Sequence, residues 1–139
     1  MRLLFLLALA LQAQPVDPWK PVQFLRGEWV AEEGNGGSSF DFDLQRKILI
    51  RKNFAPGHED LMVIYLDPGL KAIYFDNEGH VIHYKVEPGS DSVKFLSEQY
   101  RLTYRKNGED KLTLDFDIAP PGKPFANYIH ASLRKKGLK

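Results

Sequence analysis

The feature that most constrains the fold of this chain is a two-residue alternation of apolar and polar side chains, interrupted at short intervals by turn-forming residues. In Leu112–Ile118, for example, the apolar residues alternate with Thr113, Asp115 and Asp117. Such alternation places one face of a strand in a core and the other in water. The alternating runs are separated by segments rich in Gly and Pro, which supply the backbone angles that tight turns need. The pattern therefore predicts an all-β fold.

About ten strands are predicted, and the connections between them are too short for parallel crossovers, so neighbours pair antiparallel. An antiparallel meander of this size has exposed edges unless it closes. We therefore expect a single up-and-down barrel, with an open two-sheet sandwich as the alternative. Residues 18–25 contain two prolines and predict only a short helical turn before the barrel. The predicted strands are residues 27–33, 38–44, 47–54, 60–66, 70–76, 80–87, 92–97, 100–106, 110–118 and 125–135.

The first residues have the layout of a secretory signal peptide. Met1–Arg2 is a positive start, Leu3–Leu11 is an unbroken apolar run, and the small Ala13 provides a cleavage position. The run is too short to cross a bilayer as a helix, which takes about 20 residues. A buried N-terminal helix is the alternative. We expect an exported protein, periplasmic or secreted, divided into a signal peptide (1–13), an N-terminal segment with the helical turn (14–26) and a barrel (27–136).

Charge and cysteine content exclude several classes of function. The 19 Lys and Arg residues against 18 Asp and Glu leave a net charge of +1, whereas a general nucleic-acid binder needs a basic excess. The absence of cysteine excludes disulfides, thiolate metal sites, cysteine nucleophiles and a lipoprotein anchor. No later apolar run is long enough to span a membrane as a helix. We therefore expect no nucleic-acid partner, membrane span or lipid anchor, and the oligomeric state stays open.

Two motifs at the ends of the predicted barrel resemble the calycin superfamily, which includes lipocalins, fatty-acid-binding proteins and nitrobindins. They are Gly27-Glu28-Trp29 on the first strand and Ala131-Ser132-Leu133-Arg134-Lys135 on the last. The resemblance implies that Gly27 and Trp29 help to close one end of the barrel, with the Arg134 guanidinium over the Trp29 indole. Within the superfamily the strand number favours the nitrobindin-like group. The chain is still more similar to a little-characterised group of small secreted bacterial proteins, through residues 59–65, 75–80 and 119–124.

The nitrobindin resemblance implies haem as a candidate cofactor, bound by a residue of the last strand. The matching position is Tyr128, and His130, two residues further, would share its face. In the alternative, both residues face solvent, because Ile129, Ala131 and Leu133 belong to the more apolar set. We expect no resident cofactor and keep haem as the alternative.

The aromatic residues, 12% of the chain, are the most informative set for a binding site. Aromatic side chains from many strands would converge inside a barrel, where filling the core is their commoner role. An apolar cavity that also contains a few tyrosine hydroxyls is nevertheless what a site for a small hydrophobic ligand needs. The candidate interior residues are Phe40, Phe42, Tyr65, Phe75, Tyr84, Phe95, Tyr104 and Phe116.

The sequence shows no catalytic or metal-binding motif. His80 and His83 are an odd number of residues apart on a predicted strand and so point to opposite faces. The leading hypothesis is an exported, non-enzymatic barrel that binds a small hydrophobic or amphipathic molecule. The first alternative is a haem-binding, nitrobindin-like protein that acts on reactive nitrogen species. The second is a filled barrel that serves as an interaction or envelope module.

Overall fold

The computed structural model describes residues 15–137 as one short 3₁₀ helix followed by ten β-strands. The predicted signal peptide, residues 1–13, lies outside these described residues. The helix is η1 (Lys20–Leu25). The strands are β1 (Gly27–Ala31), β2 (Gly37–Asp43), β3 (Ile48–Ala55), β4 (His58–Leu66), β5 (Leu70–Asp76), β6 (Val81–Gly89), β7 (Ser92–Leu96), β8 (Tyr100–Lys106), β9 (Lys111–Ile118) and β10 (Ala126–Lys135).

The strands form a closed antiparallel barrel in which each strand pairs with the next along the chain. The barrel closes because β1 also pairs with β10, with Trp29 opposite Lys135 and Ala31 opposite Leu133. Closure leaves none of the described strands with a free edge, which is the physical reason for preferring a barrel to an open meander. The predicted up-and-down barrel with a short N-terminal helical turn is confirmed, and the sandwich alternative is wrong.

Helix η1 covers one end of the barrel. Val22 and Leu25 are fully buried there, and the indole Nε1 of Trp29 donates a hydrogen bond to the Leu25 carbonyl oxygen at 2.8 Å. Gly27 begins β1 with φ +124°, a conformation that other residues rarely adopt, and a Cβ there would lie 3.1 Å from Lys135 Cε. Gly27 and Trp29 therefore lie at the closed end, as the resemblance implied.

The basic residue over the Trp29 ring is Lys135, and the expectation for Arg134 is wrong. The Lys135 Nζ lies 5.6 Å from the ring centroid, whereas Arg134 is exposed and pairs with Val30. Neighbouring residues of a strand point to opposite faces, so only the residue in register with the inward-facing Trp29 reaches it. The expected cation–π contact with Trp29 is therefore present, but its cation is Lys135, the residue after Arg134.

Packed side chains fill the half of the barrel that lies next to η1. A chain of edge-to-face aromatic contacts crosses it, with Phe40 5.3 Å from Tyr104, Tyr104 6.4 Å from Phe95, and Phe95 6.3 Å from Tyr84. Each fully buried aliphatic or aromatic side chain contributes about 1.5–3 kcal/mol of transfer free energy. The fully buried residues that complete this core include Leu49, Met62, Ile64, Val93 and Leu112.

Candidate functional site

The half of the barrel opposite η1 is hollow. It contains a cavity of about 600 Å³ that is bounded by the inner faces of most strands. The mouth lies where strand pairs β3–β4, β5–β6 and β9–β10 are connected, because Ala55, His58, Glu78 and Tyr128 all line the cavity. A cavity of this volume is typical of small-molecule sites.

One wall of the cavity, formed by β8, β9 and β10, is apolar. The rings of Tyr100 and Phe116 stack there with centroids 5.9 Å apart, and Tyr128 meets Phe116 edge to face at 6.3 Å. Aliphatic side chains complete this wall, because in β9 and β10 the apolar set of alternating residues points inward. They are Leu102, Leu114, Ile118, Ile129, Ala131 and Leu133.

The opposite wall, formed by β3 and β4, contains a buried ion pair. Arg51 Nη1 donates to Asp60 Oδ1 at 2.6 Å, and both side chains are only 4% exposed. The other carboxylate oxygen of Asp60 accepts a hydrogen bond from Asn53 Nδ2 at 3.1 Å and lies 2.9 Å from His58 Nε2. Arg51 Nε donates to the Tyr104 hydroxyl at 2.7 Å, which ties the ion pair to the aromatic core below. A buried ion pair with this many partners is well placed to withstand desolvation.

Two hydrogen-bond donors that face the cavity, one on β3 and one on β6, have no partner among residues 15–137. In the described part of the chain, no buried side-chain nitrogen or oxygen lacks a hydrogen-bond partner. Arg51 Nη2 and the Tyr84 hydroxyl have no partner among these residues, so neither atom is buried. Both are therefore accessible from the cavity that their residues line. Burial lowers the pKa of Arg51, but Tyr104 and Asp60 raise it by more, so the guanidinium stays charged. Burial raises the pKa of Tyr84, so its hydroxyl stays neutral and able to donate.

A second polar cluster lies at the mouth, around Asp76. Its Oδ2 accepts a hydrogen bond from the Tyr74 hydroxyl at 3.1 Å and lies 2.9 Å from His80 Nδ1. Its Oδ1 accepts hydrogen bonds from the backbone N–H groups of Glu78 and His80, both at 3.0 Å. Burial raises the pKa of Asp76, but these hydrogen bonds lower it by more, to about 2. Asp76 is therefore ionised and holds the β5–β6 connection at the cavity mouth.

The arrangement as a whole is suited to binding. An apolar wall faces a wall of hydrogen-bond donors and carboxylates, and together they can hold a molecule that has an apolar body and a polar end. Among residues 15–137, no group of three or more His, Asp or Glu side chains is arranged to hold a metal ion. None of the helices formed by those residues has the length and hydropathy needed to cross a membrane.

Most of the predicted aromatic residues lie inside the barrel, but at different depths. Tyr84 and Phe116 line the cavity. Phe40, Phe95 and Tyr104 are fully buried in the core beneath it, where they fill space. The sixth interior aromatic residue, Phe42, packs edge to face against Trp19 at 5.3 Å, at the closed end.

Tyr65 and Phe75 do not point into the barrel, so their predicted place there is wrong. In β4 the fully buried Ile64 faces inward, and its neighbour Tyr65 therefore faces outward. In β5 Tyr74 lines the cavity, and Phe75 is 41% exposed on the outside. Both strands carry apolar residues on both parities, so alternation alone does not indicate which face is inside.

A β-bulge separates the two residues suggested as haem ligands. The pairing of β10 with β9 shifts register between Asn127 and Ile129. Contrary to expectation, Tyr128 and His130 therefore do not share a face. Tyr128 lies at the cavity rim and is 71% exposed. His130 lies outside the barrel, with Nδ1 2.7 Å from Asp115 Oδ1. His130 therefore does not fit the role of an iron ligand within the cavity, and Tyr128 fits it only at the exposed rim.

The sequence did not lead us to predict the polar wall, which we define as the β3–β4 wall that contains Arg51 and Asp60. Arg51 and Asp60 occupy positions of the same parity as the apolar Leu49 and Met62, where a charged residue is unexpected. Two such residues of opposite charge on neighbouring strands were the available signal, since register alone brings them close. The Arg51–Tyr104 contact joins residues 53 positions apart and had no local signal.

The fold is similar to that of a solved protein. The crystal structure of Rv2717c from M. tuberculosis aligns with 87% of this chain and 98% of that chain, with a TM-score of 0.58 and 12% sequence identity. At this identity the likeness shows the fold alone. No model of a known protein family matches the chain, and no curated protein matches it.

Proposed function

We propose that this protein binds a small amphipathic molecule in the hollow half of its barrel, without chemical change. The observation that carries the proposal is the cavity of about 600 Å³ between an apolar wall and a polar wall. An apolar body would lie against β8–β10, and a polar end would face Arg51 and Tyr84. The packed half next to η1 gives the cavity a closed floor. The cavity favours ligand binding over the role of a filled interaction or envelope module.

The proposal extends to kinship and location. The Gly27-x-Trp29 motif, the closed ten-stranded barrel and the basic residue over the indole together support a calycin-like origin. The signal-like layout of residues 1–13 supports export, so the ligand would be met outside the cytoplasm. Haem receives weaker support, because His130 lies on the outer surface.

Binding of the neutral fluorophore N-phenyl-1-naphthylamine tests the cavity directly. We expect its fluorescence to rise with the wild type. We expect the rise to be lost in Ala131→Trp, because that side chain would occupy cavity space beside Leu133. Ser132→Trp is the matched control, since the next residue of β10 points outward and its substitution should leave binding intact.

Native mass spectrometry of protein purified from its own compartment tests for a natural ligand. Repeated recovery of bare protein, together with equal fluorophore binding by the two Trp variants, would contradict the proposal. A haemin titration provides the separate test for haem. A Soret shift that is present in the wild type and lost in Tyr128→Phe would favour the nitrobindin-like alternative, and no shift would exclude it.

A further inference from the structure

Among the described residues that line the cavity, Arg51 is the one permanent cation, and Asp60 already neutralises it. Arg51 Nη1 lies 2.6 Å from Asp60 Oδ1, and both side chains are 4% exposed. The guanidinium also donates to Tyr104 through Nε at 2.7 Å, so two sides of its donor fork are occupied by the protein. Arg51 therefore offers the cavity a hydrogen bond from Nη2 without an uncompensated positive charge.

The remaining charges of the lining do not make it positive. Against Arg51 stand three carboxylates, Asp60, Asp76 and Glu78. The only other basic groups that line the cavity in the described part of the chain are His58 and His80. Even with both imidazoles protonated, cations and carboxylates only balance, and with either one neutral the lining is negative. No protonation state of the histidines therefore gives the cavity a net charge that attracts an anion.

Two polar groups that can donate face the cavity without a partner among the described residues. They are Arg51 Nη2 and the Tyr84 hydroxyl, whereas the oxygens of Asp76 already accept three hydrogen bonds and lie next to His80 Nδ1. A ligand end that accepts hydrogen bonds but carries no charge would satisfy these donors. A carboxylate would satisfy them too, but it would lose its hydration close to Asp60 with no net charge to compensate.

We propose that the cavity selects uncharged amphiphiles whose polar end accepts hydrogen bonds, such as an ester or an alcohol, over the corresponding carboxylates. Asp60 sets this selectivity by neutralising Arg51. The inference rests on the proposed function, because it names the class of ligand for the same cavity. Asp60 acts here as a positioning residue, through Arg51.

The test compares ligands of equal carbon number at pH 8. Methyl undecanoate, 1-dodecanol and dodecanoate each displace N-phenyl-1-naphthylamine from the wild type, and their Kd values are compared. We expect the ester and the alcohol to bind at least ten times more tightly than dodecanoate, a ratio that corresponds to about 1.4 kcal/mol. Equal or tighter binding of dodecanoate would overturn the selectivity while leaving the binding function intact. No displacement by any of the three would overturn the selectivity, and if the fluorophore does not bind either, the binding function is overturned as well.

Asp60→Asn tests the role of the carboxylate. The amide keeps the size and one acceptor oxygen for Arg51, but it leaves the guanidinium charge free. We expect the preference for the ester over dodecanoate to fall at least tenfold. Asp115→Asn is the matched control, because Asp115 contacts His130 on the outer surface and its substitution should leave the ratio unchanged. A ratio unchanged in a folded Asp60→Asn variant would overturn the role of Asp60, and the wild-type comparison decides the selectivity even if that variant does not fold.

Discussion

Removing the Arg51 side chain would leave a carboxylate unpaired in the wall of the barrel. Arg51→Met keeps an unbranched apolar stem but removes the guanidinium 2.6 Å from Asp60. Asp60 is 4% exposed in its side chain, so water reaches it only through the cavity. Breaking a buried ion pair in this way costs about 3–5 kcal/mol, because the remaining charge loses its compensation.

The structure favours the lower end of that range. Asp60 keeps its hydrogen bond from Asn53 and its contact with His58, and the cavity of about 600 Å³ is large enough to hold water next to it. We therefore expect Arg51→Met to lower the free energy of unfolding by about 3 kcal/mol. That is a large share of the roughly 5–15 kcal/mol typical of a single domain. The melting temperature should fall by roughly 10 °C.

The double variant Arg51→Met/Asp60→Leu separates the cost of an unpaired charge from the cost of lost contacts. Removing both charges leaves no uncompensated ion in the wall. We therefore expect the free energy of unfolding of the double variant to be about 2 kcal/mol higher than that of Arg51→Met. Urea unfolding followed by circular dichroism measures both variants against the wild type. The reasoning would be refuted if Arg51→Met cost less than about 1 kcal/mol, or if the double variant were less stable than the single one.

Three further predictions concern the closed end and the cavity mouth. Trp29→Phe removes the hydrogen bond to the Leu25 carbonyl and should cost about 2 kcal/mol in urea unfolding, and a cost near zero would contradict its role in closure. Lys135→Ala should lower the free energy of unfolding by about 0.5–1 kcal/mol more than Arg134→Ala, because only Lys135 lies over the indole, and the reverse order would contradict the contact. The pKa of Asp76 is lowered from 3.8 to about 2, so its stabilisation is complete above about pH 4 and is lost as the pH falls towards 2. The wild type should therefore lose more stability than Asp76→Asn between pH 4 and pH 2 in parallel urea titrations, and equal losses would contradict this linkage.

Closed-barrel architecture could be predicted from the sequence because period-two alternation and turn residues are local signals. The predicted strand 70–76 matches β5 residue for residue, and 100–106 matches β8. Each turn depends on a few neighbouring residues and each strand on its own alternation, so no long-range information is needed. Closure then follows from the cost of leaving the edges of so many strands unpaired.

The interior of the barrel depended on the tertiary structure. Alternation divides a strand into two faces but does not say which is inside when both are apolar, as for Tyr65 in β4 and Phe75 in β5. A bulge at Tyr128 places Tyr128 and His130 on different faces, although they are only two positions apart. These outcomes depend on register between strands, which no single strand encodes.

Only the tertiary structure shows that half of the barrel is hollow. Ten strands set the width of the barrel, and the inward side chains of all of them must be summed before filled and empty space can be told apart. Large residues such as Phe40, Phe95 and Tyr104 converge next to η1 and fill that half. Arg51 and Asp60 meet in the other half, where Tyr104, 53 positions from Arg51, supports them from below. The alternating pattern thus determined that a barrel forms, and the meeting of residues distant in sequence determined that it has room for a ligand and a neutralised charge to select it.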